Sequence, residues 1–298
     1  MSSLLSSLLH LPGSIPSEWP DDPVRAHRDP ANFAHLLTRQ AVDALIDADC
    51  LAMRHVALLK DSKVVEPVTY ADGDMPRRGV LREHLDEGGT LSVRQLERLV
   101  PAIAHLQQAL HAETGHLTHV NAYYTPAGAH GLKYHYDPYV TLIIQLSGRK
   151  MWPMHPPVVE NPVREYQSFH VVGFTSEQRH FLEHTPPDQS HTLEPGDVMW
   201  LPRGWVHSPY TVGDEPSLHL TVAIKERTPH WAVSVLAGEL LAQALVDPAM
   251  RRTIVPADLL DSPESPTGHA RAYLLGALLK ADEKEMAEVL RRAALVEG

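Results

Sequence analysis

Cysteine is almost absent, with Cys50 the only one in 298 residues. A single thiol excludes an internal disulfide framework and any site built from several thiolates, so a metal held within one chain must rely on imidazole and carboxylate. No apolar run approaches the roughly 18–20 residues of a spanning helix. The opening stretch, Met1 to Pro16, has no positive n-region and is broken by serines, unlike a secretory signal. A cytoplasmic protein with no membrane partner is therefore expected. Basic residues are outnumbered, with Lys+Arg 26 against Asp+Glu 37 and a net charge of −11. That balance argues against a nucleic-acid surface, which needs clustered Lys and Arg, and favours a neutral or cationic partner. Internal repeats and low-complexity tracts are also missing.

What the chain does have is 43% hydrophobic residues, enough for one substantial core or a main domain with an appendage. Apolar residues at helical spacing predict a lead-in helix over Asn32–Asp49, followed by a first strand at Met53–Leu59 and a turn at Asp72–Asp74. Ser92 with Gln95 reads as a capping box opening a helix to about Glu113, kinked at Pro101 and ended by Gly115. From His116 short strand-like segments follow closely: 117–125, 133–146, 149–155, 198–201, 205–211 and 218–225. Gly- and Pro-bearing turns separate them, and a helical insertion capped by Thr175 and Gln178 lies between 156 and 190. Such spacing predicts a mainly β fold with a double-sheet barrel core of the jelly-roll or cupin kind. The N-terminal lead-in (1–115), the core (116–227) and a C-terminal helical region (228–298) form the expected organisation. The amphipathic stretches Trp231–Leu245 and Ala270–Leu295 would pack on the barrel or support a homodimer.

The strongest chemical signal is Tyr134-His135-Tyr136-Asp137-Pro138. In a strand His135 and Asp137 project to one side, so they could grip one ion. His207, reached through a Pro-Gly-Asp turn, a strand and a Pro-Arg-Gly turn, is the candidate third ligand. Two histidines and one carboxylate make a facial set with open positions that suits non-haem Fe(II), although zinc or nickel also fits such donors. A His-x-Asp triplet serves equally as a buried hydrogen-bonded pair. The second triplet, His84-Leu85-Asp86, stands among charged neighbours and reads as solvated surface. Lys150, in the middle of the apolar and aromatic segment Arg149–His155, would be costly to bury without an anion. The other reading is an edge-strand lysine snorkelling to solvent. Ser217, His219 and Thr221 share one strand face; a polar pair inside the barrel is the plainer role for the first two. Trp152, Trp200 and Trp205 are candidates for cavity walls or for ordinary core packing.

At these residues the chain resembles the bacterial cupin-4 and JmjC ribosomal oxygenases, a group of protein hydroxylases that includes the human nucleolar histidine hydroxylases. The matching blocks are the run from Asn121 through Tyr123, Thr125-Pro126, His135-Tyr-Asp137, Gln145, Gly148 and Lys150 to Trp152; Leu193-Glu-Pro-Gly-Asp through His207; and Ser217-Leu-His-Leu-Thr221. The resemblance implies a JmjC-like double-stranded β-helix with His135, Asp137 and His207 as iron ligands. It implies that Lys150 binds the distal carboxylate of 2-oxoglutarate, aided by Asn121 and Thr221, with Tyr123 lining the pocket. The activity implied is hydroxylation of a protein or peptide side chain using dioxygen, with release of succinate and carbon dioxide.

Two positions depart from the family pattern. Pro138 stands where a second acidic residue is common. Ala223 falls where the histidine hydroxylases carry a substrate-contacting serine, so histidine hydroxylation of a ribosomal protein does not carry over with the rest. The helical end is also expected to leave little room for the winged-helix module of the longer relatives. The alternatives are an oxygenase of a free small molecule, which a narrow closed pocket would favour, and a non-catalytic cupin serving as a binding module. Keeping His135, Asp137, His207 and Lys150 together argues against the last.

Overall fold

The computed structural model describes residues 3–10 and 19–296; residues 1–2 and 11–18 of the serine- and proline-bearing opening stretch lie outside it. The chain divides into two units, 1–226 and 227–298. In the first, helix α1 (Leu4–Leu9) and strand β1 (Val24–His27) precede α2 (Arg39–Asp47), which Thr38 caps. Strands β2 (Val56–Lys60), β3 (Lys63–Val64), β4 (Ala71–Asp72) and β5 (Met75–Pro76) follow, then α3 (Val80–Asp86), β6 (Thr90–Val93) and α4 (Pro101–Thr114). The helix expected from Ser92 and Gln95 begins later than the capping pattern suggested. Ser92 is in β6, Gln95 has φ 54, and Pro101 is the first residue of α4, where its missing N–H costs nothing and no kink results.

The remaining strands are β7 (Leu117–Thr125), β8 (Val140–Ser147), β9 (Arg149–His155), β10 (Gln189–Leu193), β11 (Asp197–Leu201), β12 (Val206–His207), β13 (Tyr210–Val212) and β14 (Ser217–Lys225). Helices α5 (Phe169–Val172) and α6 (Ser176–His184) occupy the insertion, and Thr175 and Gln178 form the expected capping box. The strand expected from Lys133 becomes regular only at Val140. Before that the chain pairs through isolated bridges, His130 with Tyr210 and His135 with His207.

Among the described residues β4 and β5 pair by themselves, and two larger antiparallel sheets form the barrel. The larger runs β1-β11-β8-β14-β7-β6-β2-β3; in the smaller, β9 pairs with β10, β12 and β13. Strand β14 shows how one sequence serves two environments. Leu218, Leu220, Val222 and Ile224 join a core with Leu5, Val42, Leu81, Ile103 and Leu110 from the N-terminal helices. Ser217, His219, Thr221 and Ala223 alternate with them and are also buried, on the opposite, barrel-facing side. A second cluster, including Ile143, Trp152, Met154, Met199 and Trp205, fills part of the space between the sheets. Trp200 belongs to the helix-covered core and Trp205 to this inner cluster; their indole N–H groups donate to the carbonyls of Pro20 and Asp21.

The β-rich description holds for the barrel rather than for the chain, because helices contribute more residues than strands. The second unit consists of α7 (Pro229–Val246), α8 (Pro256–Leu260), α9 (Glu264–Lys280) and α10 (Glu283–Val296). The stretch expected as one amphipathic segment breaks ahead of α10, where the Asp282 carboxylate accepts from the N–H groups of Lys284 and Glu285. Among the described residues no helix is long and apolar enough to cross a membrane.

Candidate metal centre

Residues 72 positions apart in sequence meet through the backbone. The His135 N–H donates to the His207 carbonyl at 3.1 Å, and the His207 N–H donates to the His135 carbonyl at 2.8 Å. Partners in such an antiparallel pair project to the same face, and the two imidazole centroids lie 4.2 Å apart. Asp137 is added by the two-residue repeat and by its own carbonyl, which accepts from Gly204 N at 3.0 Å. One donor atom from each of His135, Asp137 and His207 lies within 4.8 Å of the others, with His207 Nε2 3.8 Å from Asp137 Oδ2.

The surroundings orient these donors toward a common point. Nδ1 of His135 donates to the Lys133 carbonyl at 2.8 Å, and Nδ1 of His207 to the Trp205 carbonyl at 3.0 Å, which leaves both Nε2 lone pairs for an ion. Desolvation, aided by the neighbouring His207, lowers the pKa of His135; desolvation likewise lowers that of His207. Both imidazoles are thus kept neutral, as ligation requires. Asp137 accepts from Thr141 Oγ1 at 3.3 Å and from Tyr139, whose hydroxyl is driven well above its ordinary pKa first by that carboxylate and then by burial. Two neutral imidazoles and a carboxylate, each held by an outer partner, fit a divalent transition metal.

Beside these residues lies a narrow cavity of about 50 Å³, lined in part by Tyr123, Thr141, Lys150, Trp152, His219 and Thr221. Lys150 is 1% exposed, and β9 is flanked by β10 and β13 at this point, opposite Leu193 and Thr211, so it is no edge-strand lysine. Its Nζ donates to Thr125 Oγ1 at 2.9 Å; among the described residues no carboxylate pairs with it. Burial alone pulls its pKa down to about 7. A cation buried this way without a carboxylate partner has the chemistry to receive an anion.

The other expected residues divide. Tyr123 and Thr221 line the cavity, but Asn121 does not: its Oδ1 accepts from Gln95 N at 3.0 Å and fixes the left-handed residue after β6. His84 is not solvated surface as expected. It is buried, its Nε2 bonded with the carbonyls of Leu59 and Thr90, while Asp86 is exposed. Tyr139, Thr141 and Thr125 were missed by sequence reasoning. The first two continue the same odd-numbered alternation as His135 and Asp137, and Thr125 continues that of Asn121 and Tyr123 on β7, so a signal was present for all three.

Fold and donor set together define a double-stranded β-helix protein of the cupin class. More narrowly, residues 93–231 match the JmjC domain family. Similar proteins include Ribosomal oxygenase 2 of Rattus norvegicus, 28% identical over 262 residues that cover 85% of this chain and 53% of that one. Another is the bifunctional lysine-specific demethylase and histidyl-hydroxylase NO66 of Culex quinquefasciatus, also 28% identical, with 81% and 36% covered. This chain therefore spans only about a third to a half of those relatives. Among solved structures, YcfD, a ribosomal oxygenase from Escherichia coli in complex with cobalt and 2-oxoglutarate, aligns with a TM-score of 0.55 at 18% identity, covering 92% of this chain and 67% of that one. At that identity the likeness establishes the fold.

Proposed function

We propose that this protein is an Fe(II)- and 2-oxoglutarate-dependent oxygenase that hydroxylates a protein or peptide side chain, with His135, Asp137 and His207 as iron ligands. The observation that carries the reading is the buried, carboxylate-free ammonium of Lys150 in the same cavity as the three convergent donors. Bound iron(II) would supply chelation of the 2-oxo acid and activation of dioxygen. Lys150 neutralises the distal carboxylate, Thr125 orients the ammonium, and Thr221 and Tyr123 shape the passage between them. Trp152, stacked 5.7 Å from His207, keeps water from the third ligand.

The names of the relatives, ribosomal oxygenase and histidyl-hydroxylase, support a protein substrate, and the net charge of −11 suits a basic one. A small-molecule substrate is the second reading, favoured by the narrowness of the cavity. His135→Ala should abolish succinate formation from 2-oxoglutarate while leaving the unfolding transition in place; full turnover by this variant refutes the ligand role. A one-oxygen mass increase on a basic protein or peptide, dependent on 2-oxoglutarate, separates the first substrate class from the second.

A further inference from the structure

His219 plays no part in the ligand set, and a structural role accounts for it poorly. It lies in the middle of β14, 2% exposed, and lines the cavity that holds Lys150 and His207. Among the described residues its Nδ1 has no hydrogen-bond partner. The polar pair with Ser217 expected from sequence does not form, because the Ser217 hydroxyl accepts from Gln145 Nε2 at 2.9 Å. A buried imidazole nitrogen left unsatisfied is destabilising. Nor is the ring loosely held: it stacks on Tyr123 at 5.2 Å and 9°, and meets Trp152 edge-on at 5.5 Å.

The strand registers fix its depth. Ser217 lies opposite Thr125, the partner of Lys150, while Thr221 lies opposite Asn121; His219, opposite Tyr123, is the layer between. Thr141, which donates to Asp137, lies opposite Ala223, so the His219 layer stands between the metal-ligand end and the Thr125–Lys150 end of the cavity.

Resting on the oxygenase reading above, we propose that His219 is a second donor to the distal carboxylate of 2-oxoglutarate, its Nδ1–H complementing Lys150. The ring is neutral, driven well below its ordinary pKa by burial and then by Lys150. It carries one N–H, and an anion in the pocket selects the tautomer that points this proton inward. The pairing makes the pocket select a ligand with a distal carboxylate over one that only chelates.

The test is equilibrium binding to Mn(II)-loaded protein, with 2-oxoglutarate and oxalate as probes; oxalate offers chelating oxygens but no distal carboxylate. His219→Phe keeps the stacked shape and removes the donor. It should weaken 2-oxoglutarate about 10- to 100-fold, the range for a hydrogen bond to a charged group, and leave oxalate within about twofold. His219→Asn, whose amide nitrogen sits near the Nδ1 position, should recover most of the loss. Equal weakening of both probes would make His219 merely structural, and unchanged 2-oxoglutarate binding by His219→Phe would also overturn the proposal while leaving the oxygenase reading intact. If wild-type protein binds Mn(II) but not 2-oxoglutarate, both readings fall together.

Discussion

Replacing Lys150 with methionine separates stability from binding. The side chain is 1% exposed with one hydrogen bond, and burial lowers its pKa from 10.5 to about 7. At about 1.4 kcal/mol per pKa unit, keeping the ammonium charged costs on the order of 5 kcal/mol in the ligand-free protein. The sign follows from proton counting. Between about pH 7 and 10.5 the unfolded chain holds a proton that the folded chain has lost, so stability rises with pH across that window. Below pH 7 both states are charged and the cost is present in full. Methionine has similar length and no charge, and Thr125 keeps a partner because Thr90 Oγ1 lies 3.1 Å from its own hydroxyl. After allowing about 1 kcal/mol for the lost hydrogen bond, Lys150→Met should stabilise the ligand-free protein by roughly 2–4 kcal/mol at pH 6 and by less than about 1 kcal/mol at pH 10. The assay is urea unfolding followed by tryptophan fluorescence, since Trp152, Trp200 and Trp205 all report on the barrel. Repeated with 2-oxoglutarate at about 100 times its Kd, the parent should gain about 2.7 kcal/mol and the variant almost nothing. A variant no more stable than the parent at pH 6, or a difference that does not shrink toward pH 10, would refute the buried-charge reasoning.

Two further outcomes follow from the same geometry. Because free Lys150 loses its proton near pH 7, binding a distal carboxylate takes up a proton above that pH. The Kd for 2-oxoglutarate should be flat at pH 6 and rise toward about tenfold per pH unit above 7; a calorimetric profile that stays level from pH 6 to 9 would show that the ammonium is not the receptor. Gly148→Ala should destabilise the protein by about 2 kcal/mol or more, since Gly148 has φ +62 and a Cβ would overlap the Pro216 carbonyl. Chemical denaturation within about 0.5 kcal/mol of the parent would contradict that packing.

How much of this was readable beforehand depended on the range of the interaction. Strands β7, β9 and β14 follow from alternation punctuated by Gly and Pro, signals that act within a few residues. Strand β10 escaped because Gln189-Ser-His-Thr carries no apolar alternation; it is half exposed beside β9 and borrows its stability from pairing. His84 was misjudged because its charged sequence neighbours face solvent while its own ring turns inward to the carbonyls of Leu59 and Thr90. The placing of Asn121 depended on a left-handed Gln95 that nothing local announces.

The barrel explains why the chemistry was legible where the supports were not. Period-two alternation names the side chains that face inward on one strand, and so it puts His135, Asp137, Tyr139 and Thr141 on one side before any partner is known. It says nothing about which inward residues of different strands share a layer, since register comes from hydrogen bonding across the sheet. Lys150 meeting Thr125, and His219 resting on Tyr123, are facts of register. In a double-stranded fold the atoms that could grip the ion can thus be picked out from single segments, whereas those that would select the ligand's far end emerge only once the strands are aligned.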